Sequence, residues 1–370
     1  ILLRPLETDD VDEAALKRWF RDLVEVRNPD GAERCLRTAV AAGWSDAQLA
    51  DLILSAATDH FYLDTGHVVD FINKAFELLD RIGWDEAGDV LSSLVNQLCR
   101  AQRSEETNAW RTPVDLKELL NPSLAGLEER VATAGAVSWQ RPAGFIETIL
   151  GEEPEAIVEA LNAAVSAGAT PLQLAGEVAY AAALRVARFH VQNEFVDWIG
   201  VLHTFTYANA LQQLLKRHQS SEMLRGVYHG ALRIYLDRFL NIPPARLPSK
   251  NGSADDPGGE AALAEYLDLL NRQQQVDEAG RLIYDYVAAG HDTKALFGTL
   301  AESLVREDAE FHTYQMLEAA IRQYGERTDE EEQRHVLVAA ARYLAAHAPT
   351  QRSMLQTLKI ALRLHRGDPV

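Results

Sequence analysis

The chain has 370 residues, with 36 Lys and Arg against 55 Asp and Glu, a formal net charge of −19, and 47% hydrophobic and 25% charged residues. That balance argues against nucleic acid and anionic membrane as partners, because both are held largely by Lys and Arg on phosphate. No apolar run approaches the roughly 20 residues of a membrane helix and no secretory signal is visible.

The two cysteines, Cys35 and Cys99, form neither a CxxC nor a disulfide framework, so a reducing, cytoplasmic setting and small buried thiols are expected. Opening on Ile1 rather than Met, the sequence is expected to be part of a longer chain. At this length, two or three subdomains sharing one core are the natural arrangement.

In chain order, a first helical unit is predicted over 1–100. Its centre, AVAAGWSDAQLADLILSAATDHFYLDTGH, is an Ala-rich helix stopped at Gly43 and restarted at Ser45, where Ser45 and Gln48 match a capping box. A connector with short helical pieces follows over 101–154. The second unit, 155–240, repeats the pattern in AVSAGATPLQLAGEVAYAAALRVARFH, with Gly168, then Thr170, Pro171 and Gln173 as the restart. Residues 241–275 begin with NIPPARLPSKNGSADDPGGE, a loop composition. The third unit and a C-terminal helix fill 276–370, with YVAAGHDTKALFGTLAESLVREDAEFH carrying Gly290 and Asp292. From glycine to histidine the spacing is 24 residues (Gly43 to His67), 22 (Gly168 to His190) and 22 (Gly290 to His312). Each copy then continues as helix, turn, helix. The expected fold is therefore all-α, three related multi-helix units with an internal repeat of about 123 residues around a shared core.

Because the copies differ mainly at polar positions, chemistry is sought there. His60, Asp64 and His67 follow an i, i+4, i+7 pattern, one stripe if the segment is helical, and His190, Glu194 and Asp197 have the same spacing. About 0.35 such triplets are expected by chance from this composition. Imidazole and carboxylate on one stripe is what a zinc or non-haem iron site requires. A competing alignment sets GHVVDFINKAFELL against LHTFTYANALQQLL and pairs His67 with His203. On a continuous helix His203 points about 220° away from His190, so the two sets face one centre only if the chain breaks, and Phe195–Gly200 is the expected place.

His229, inside GVYHGALRIYL, is peculiar to its copy and joins the candidate set. His312 is expected to be structural in a degenerate copy, and His218, His291, His335, His347 and His365 to be solvent-facing or capping. For His60 and His67 the alternative of hydrogen-bonded core histidines stays open, and Trp139, Trp198, Tyr62, Tyr207 and Tyr228 are expected in the core. No GxSxG elbow, phosphate-binding glycine loop, dinucleotide fingerprint or HExxH is present.

The segments DHFYLDTGHVVDF, FHVQNEFVDWIGVLHTFTYANA, GVYHGALRIYLDRFLNIPP and ARYLAAHAPTQRSMLQT resemble the helical region preceding a Rieske-type [2Fe–2S] domain in some bacterial proteins. The paired-histidine helices are loosely similar to questin oxidase-like proteins. The chain lacks the Cys-x-His and Cys-x-x-His pairs of a Rieske cluster, so the resemblance implies an electron donor beyond Val370 or in trans, Rieske-type or ferredoxin-like.

The expected function is a metal-dependent oxidoreductase acting on a small-molecule substrate, with non-haem iron held by His60, His67, His190 and His203, with Asp64 and Glu194 as further ligands or as groups that orient a histidine, and with His229 as an additional candidate ligand. A non-catalytic helical scaffold that binds a protein partner, a different divalent metal, and haem on one or two of these histidines are the alternatives.

Overall fold

The computed structural model describes residues 3–7, 12–107, 114–133, 138–249 and 258–367. Every regular element among them is helical, as the glycine-punctuated Ala-rich segments require. The helices are α1 (Glu13–Glu25), α2 (Pro29–Ala41), α3 (Asp46–Ala57), α4 (His67–Ile82), α5 (Ala87–Arg100), α6 (Ser104–Thr107), α7 (Leu116–Ala125), α8 (Leu127–Thr133), α9 (Phe145–Ile149) and α10 (Pro154–Ser166). They continue as α11 (Pro171–Ala187), α12 (Phe195–Arg217), α13 (Ser221–Asp237), α14 (Gly259–Leu269), α15 (Val276–Ala288), α16 (Thr293–Arg306), α17 (Phe311–Glu326), α18 (Glu330–Ala346) and α19 (Ser353–Arg366).

The local punctuation is as the residues dictate. Gly43, Gly168 and Gly290 have φ of 75°, 91° and 78°, a left-handed conformation that glycine adopts without a Cβ penalty. Each closes one helix of a pair: α2 before α3, α10 before α11, α15 before α16. The restarts are capped. Ser45 Oγ accepts from Gln48 N at 3.3 Å while Gln48 Oε1 accepts from Ser45 N at 3.0 Å. Thr170 and Gln173 make the same reciprocal pair at 3.1 and 2.9 Å, and Asp292 accepts from Lys294 N at 2.9 Å. Such caps contribute about 1 kcal/mol each.

The chain divides into two compact units, residues 1–179 with 206–236 and residues 180–205 with 237–370. In the first, α1, α2, α3 and α5 pack on one another, α4 packs on α3 and α5, and α10 rests on α7, α8 and α9. Phe20, Leu36, Leu54, Phe76, Leu79 and Leu91 are fully buried there, each such side chain contributing about 1.5–3 kcal/mol. Arg225 of α13 donates to Ser55 O at 2.8 Å, and Tyr228 donates to Asn162 Oδ1 at 2.9 Å. In the second unit α18 is the central helix, packed against α15, α16 and α17, and nearly all of it from Val336 to Ala345 is buried. Phe189 and Trp198 meet edge to face at 4.9 Å beside it, with Trp198 in turn 6.4 Å from Tyr343.

Cys35 and Cys99 are buried, and burial pushes both thiols up to about 11, so neither is a thiolate at neutral pH. Among the described residues no helix is long and apolar enough to cross a membrane. Of the histidines expected to be solvent-facing or capping, His347 is the C-cap residue of α18 yet is buried, and the side chain of His335 is only 12% exposed and meets Tyr180 Oη at 2.9 Å. Both belong to the buried α18 stack, where apolar neighbours on the helix outweigh the charged ones.

Candidate metal centre

The segment before α4 is not helical, which removes the expected stripe of His60, Asp64 and His67. Tyr62, Asp64 and Thr65 have φ of 51°, 48° and 55°, and Gly66 has 93°, so this stretch coils through left-handed conformations into a short 3-10 turn at Leu63–Gly66. Left-handed residues other than glycine cost of order 1–3 kcal/mol each and persist only when tethered. Here Asp64 N donates to Gln102 O at 2.9 Å, and Ser104 Oγ donates to Tyr62 O at 3.1 Å. The consequence is positional. His60 is turned to Glu25, with Nε2 2.6 Å from its carboxylate, and Asp64 accepts from Gln97 Nε2 at 3.3 Å. The His60 imidazole in turn holds Glu25 below the usual carboxylate range.

The second expected stripe fails for the same reason. α11 ends at Ala187 and α12 begins at Phe195, so His190 and Glu194 lie on a connector. The expected break therefore exists, but over 188–194, and α12 runs unbroken through Trp198 and Gly200. Asp197 stands in the first turn of α12, where its carboxylate accepts from Glu194 N at 3.2 Å. His229 is buried on α13 and meets Phe61 edge to face at 5.4 Å.

Three other positions come together. His67 is the first residue of α4, His203 lies within α12 and His312 is the second residue of α17. One ring nitrogen from each lies within 4.8 Å of the others, and this is the one group of three or more His, Cys, Asp or Glu that close among the described residues. All three are half-buried. The rings of His203 and His312 are 4.9 Å apart between centroids.

Carboxylates stand behind two of these imidazoles. Glu310 Oε1 is 2.9 Å from His312 Nδ1; an ionised carboxylate accepts the Nδ1–H and leaves the Nε2 lone pair for a metal. Asp70, buried one turn into α4, has Oδ2 3.9 Å from His67 Nδ1 and accepts from Thr206 Oγ1 at 3.0 Å. Beside it Tyr207 is fully buried, and burial together with the Asp70 charge raises its phenol far above the ordinary value. The hydroxyl donates to Gly226 O at 3.0 Å, so Tyr207 is a neutral packing element.

His67 and His203 were both candidates from the sequence, whereas His312 was expected to be structural. Its signal was present in two places: the 22-residue step from Gly290, and the similarity of His312-Thr313-Tyr314 to His203-Thr204-Phe205. Comparison of the chain with protein-family models, with curated proteins and with solved structures finds no match in any of the three.

Proposed function

We propose that His67, His203 and His312 hold one first-row divalent metal ion and that the chain is a metal-dependent enzyme. The observation that supports this reading is the convergence of three imidazole nitrogens within 4.8 Å. Nitrogens around a tetrahedral ion at ordinary bond lengths lie about 3.3 Å apart, so modest side-chain rotation closes the set. Three neutral imidazoles suit zinc, copper, iron or nickel, and three protein ligands leave a position for water or substrate. A bound ion there supplies Lewis acidity or a water of lowered pKa. Nitrogens this close to one another fit a bare ion better than haem, whose porphyrin occupies the equatorial plane and takes protein ligands only on its axis.

The resemblance noted in the sequence adds a reaction class: iron at this site, oxidation of a small molecule, and electrons from a Rieske-type or ferredoxin-like donor. Protein expressed with iron and zinc supplied should retain about one metal ion per chain by elemental analysis. Oxygen uptake that depends on added iron and on a reductant would support the oxidoreductase class, and its absence with zinc retained would favour metal-activated water. Protein that holds no metal after anaerobic reconstitution would overturn the reading in favour of a scaffold.

A further inference from the structure

His190 did not join the histidine group, yet it lines an open cleft of about 660 Å³ formed by residues 190–191, 243–249, 277–278, 281 and 342, all within the second compact unit. We propose that this cleft binds a small organic carboxylate, a monoanion with an apolar body. The geometry assembles donors. Arg342 is 1% exposed, with one guanidinium nitrogen on Asp277 and another donating to Phe189 O at 2.8 Å. Its third nitrogen, Nε, is buried with no hydrogen-bond partner, and an N–H left so is costly unless a ligand meets it.

The fold makes room for that side chain. Gly280 sits inside α15, where alanine would be the better helix former, but a Cβ there would stand 2.8 Å from Arg342 Cγ. His190 Nδ1 accepts from Gln192 N at 3.2 Å, which places the ring proton on Nε2 as a further donor. Arg246 and Arg281 are exposed cations of the same cleft, Arg281 steadied by donating to Ser249 O at 2.9 Å.

Charge and shape narrow the ligand. Three arginines face Asp277 and Glu278, both exposed, which leaves one formal positive charge in a chain whose net charge is −19. One negative charge is matched and a polyanion is not. Pro243, Pro244 and Pro248 supply a rigid apolar wall for the body of the molecule.

Isothermal titration at low ionic strength, where exposed arginines are least screened, tests this with benzoate, its neutral analogue benzyl alcohol, and inorganic phosphate. Benzoate should bind saturably with one site and more tightly than phosphate, and benzyl alcohol should not bind. The double variant Arg246→Ala/Arg281→Ala, changed only at exposed positions, should weaken benzoate at least tenfold while melting like wild type. Arg342→Lys, scored only if its melting curve stays cooperative, should weaken it as well. Failure of benzoate to bind, or binding unchanged in the double variant, overturns the proposal. The site is independent of the histidine group: His203→Ala should leave benzoate binding intact, and the double variant should leave metal binding intact, so either reading can fail alone.

Discussion

The histidines singled out by spacing fall into two sets, those on helices and those on the connectors that lead into them. His67, His203 and His312 are carried by α4, α12 and α17 and converge. His60, Asp64, His190 and Glu194 lie on the stretches before α4 and before α12: His60 and Asp64 are turned to Glu25 and Gln97, His190 lines a separate cleft, and Glu194 donates its backbone N–H to Asp197. A helix holds a side chain in a direction fixed by its backbone, whereas a connector aims each residue by its own dihedrals. Equal spacing therefore carried meaning only where the helix was continuous.

The largest expected effect breaks that comparison outright. His312→Ala should lower metal affinity by more than 100-fold, since it removes a ligand, while His60→Ala and His190→Ala should leave it within threefold; equilibrium dialysis against zinc reads both. Loss of affinity in the connector variants would erase the distinction between the sets.

His347, the C-cap residue of α18, sharpens it differently, as a buried histidine outside the group. Its Nδ1–H donates to Tyr343 O at 2.7 Å, and burial pushes the imidazole down to about 4. In the unfolded chain the ring takes up a proton near pH 6.5 and in the folded chain only near 4. Its contribution is thus complete above pH 6.5 and is lost as pH falls toward 4, on the order of 3 kcal/mol. Urea midpoints of wild type should fall steeply across that window, and His347→Gln should flatten the fall.

Gly66→Ala tests the strained approach to α4. At φ of 93°, with a Cβ placed 3.0 Å from Tyr62 Oη and 3.1 Å from Tyr207 Cβ, the variant should lose about 2–3 kcal/mol in urea denaturation. Asp70→Asn keeps the shape but removes the charge near His67; zinc affinity should drop 10- to 100-fold with the melting temperature of the metal-free protein nearly unchanged. Ser45→Ala, far from either set, should cost only about 1 kcal/mol and leave zinc affinity alone.

What could be read from the sequence was local. Ser45 with Gln48, Thr170 with Gln173, and the glycines at 43, 168 and 290 fix helix ends through bonds spanning a few residues, and the all-α architecture followed from them. The connectors were not legible because left-handed Tyr62, Asp64 and Thr65 carry no glycine signature, and their conformation is held by Gln102 and Ser104, some 40 residues away. His312 was missed because its value lies in a meeting with His203 across more than 100 residues of chain, which no helical period encodes. The arginine cleft was hidden for a related reason: Gly280 and Arg342 are informative only as a pair.

The central claim is tested most directly by titrating zinc into the metal-free protein while following the imidazole nitrogens of its eleven histidines by ¹⁵N NMR. The account expects His67, His203 and His312 to shift together and saturate at one equivalent, with His60, His190 and His229 unmoved. Saturation on a different trio, or no saturable shift at all, would contradict it.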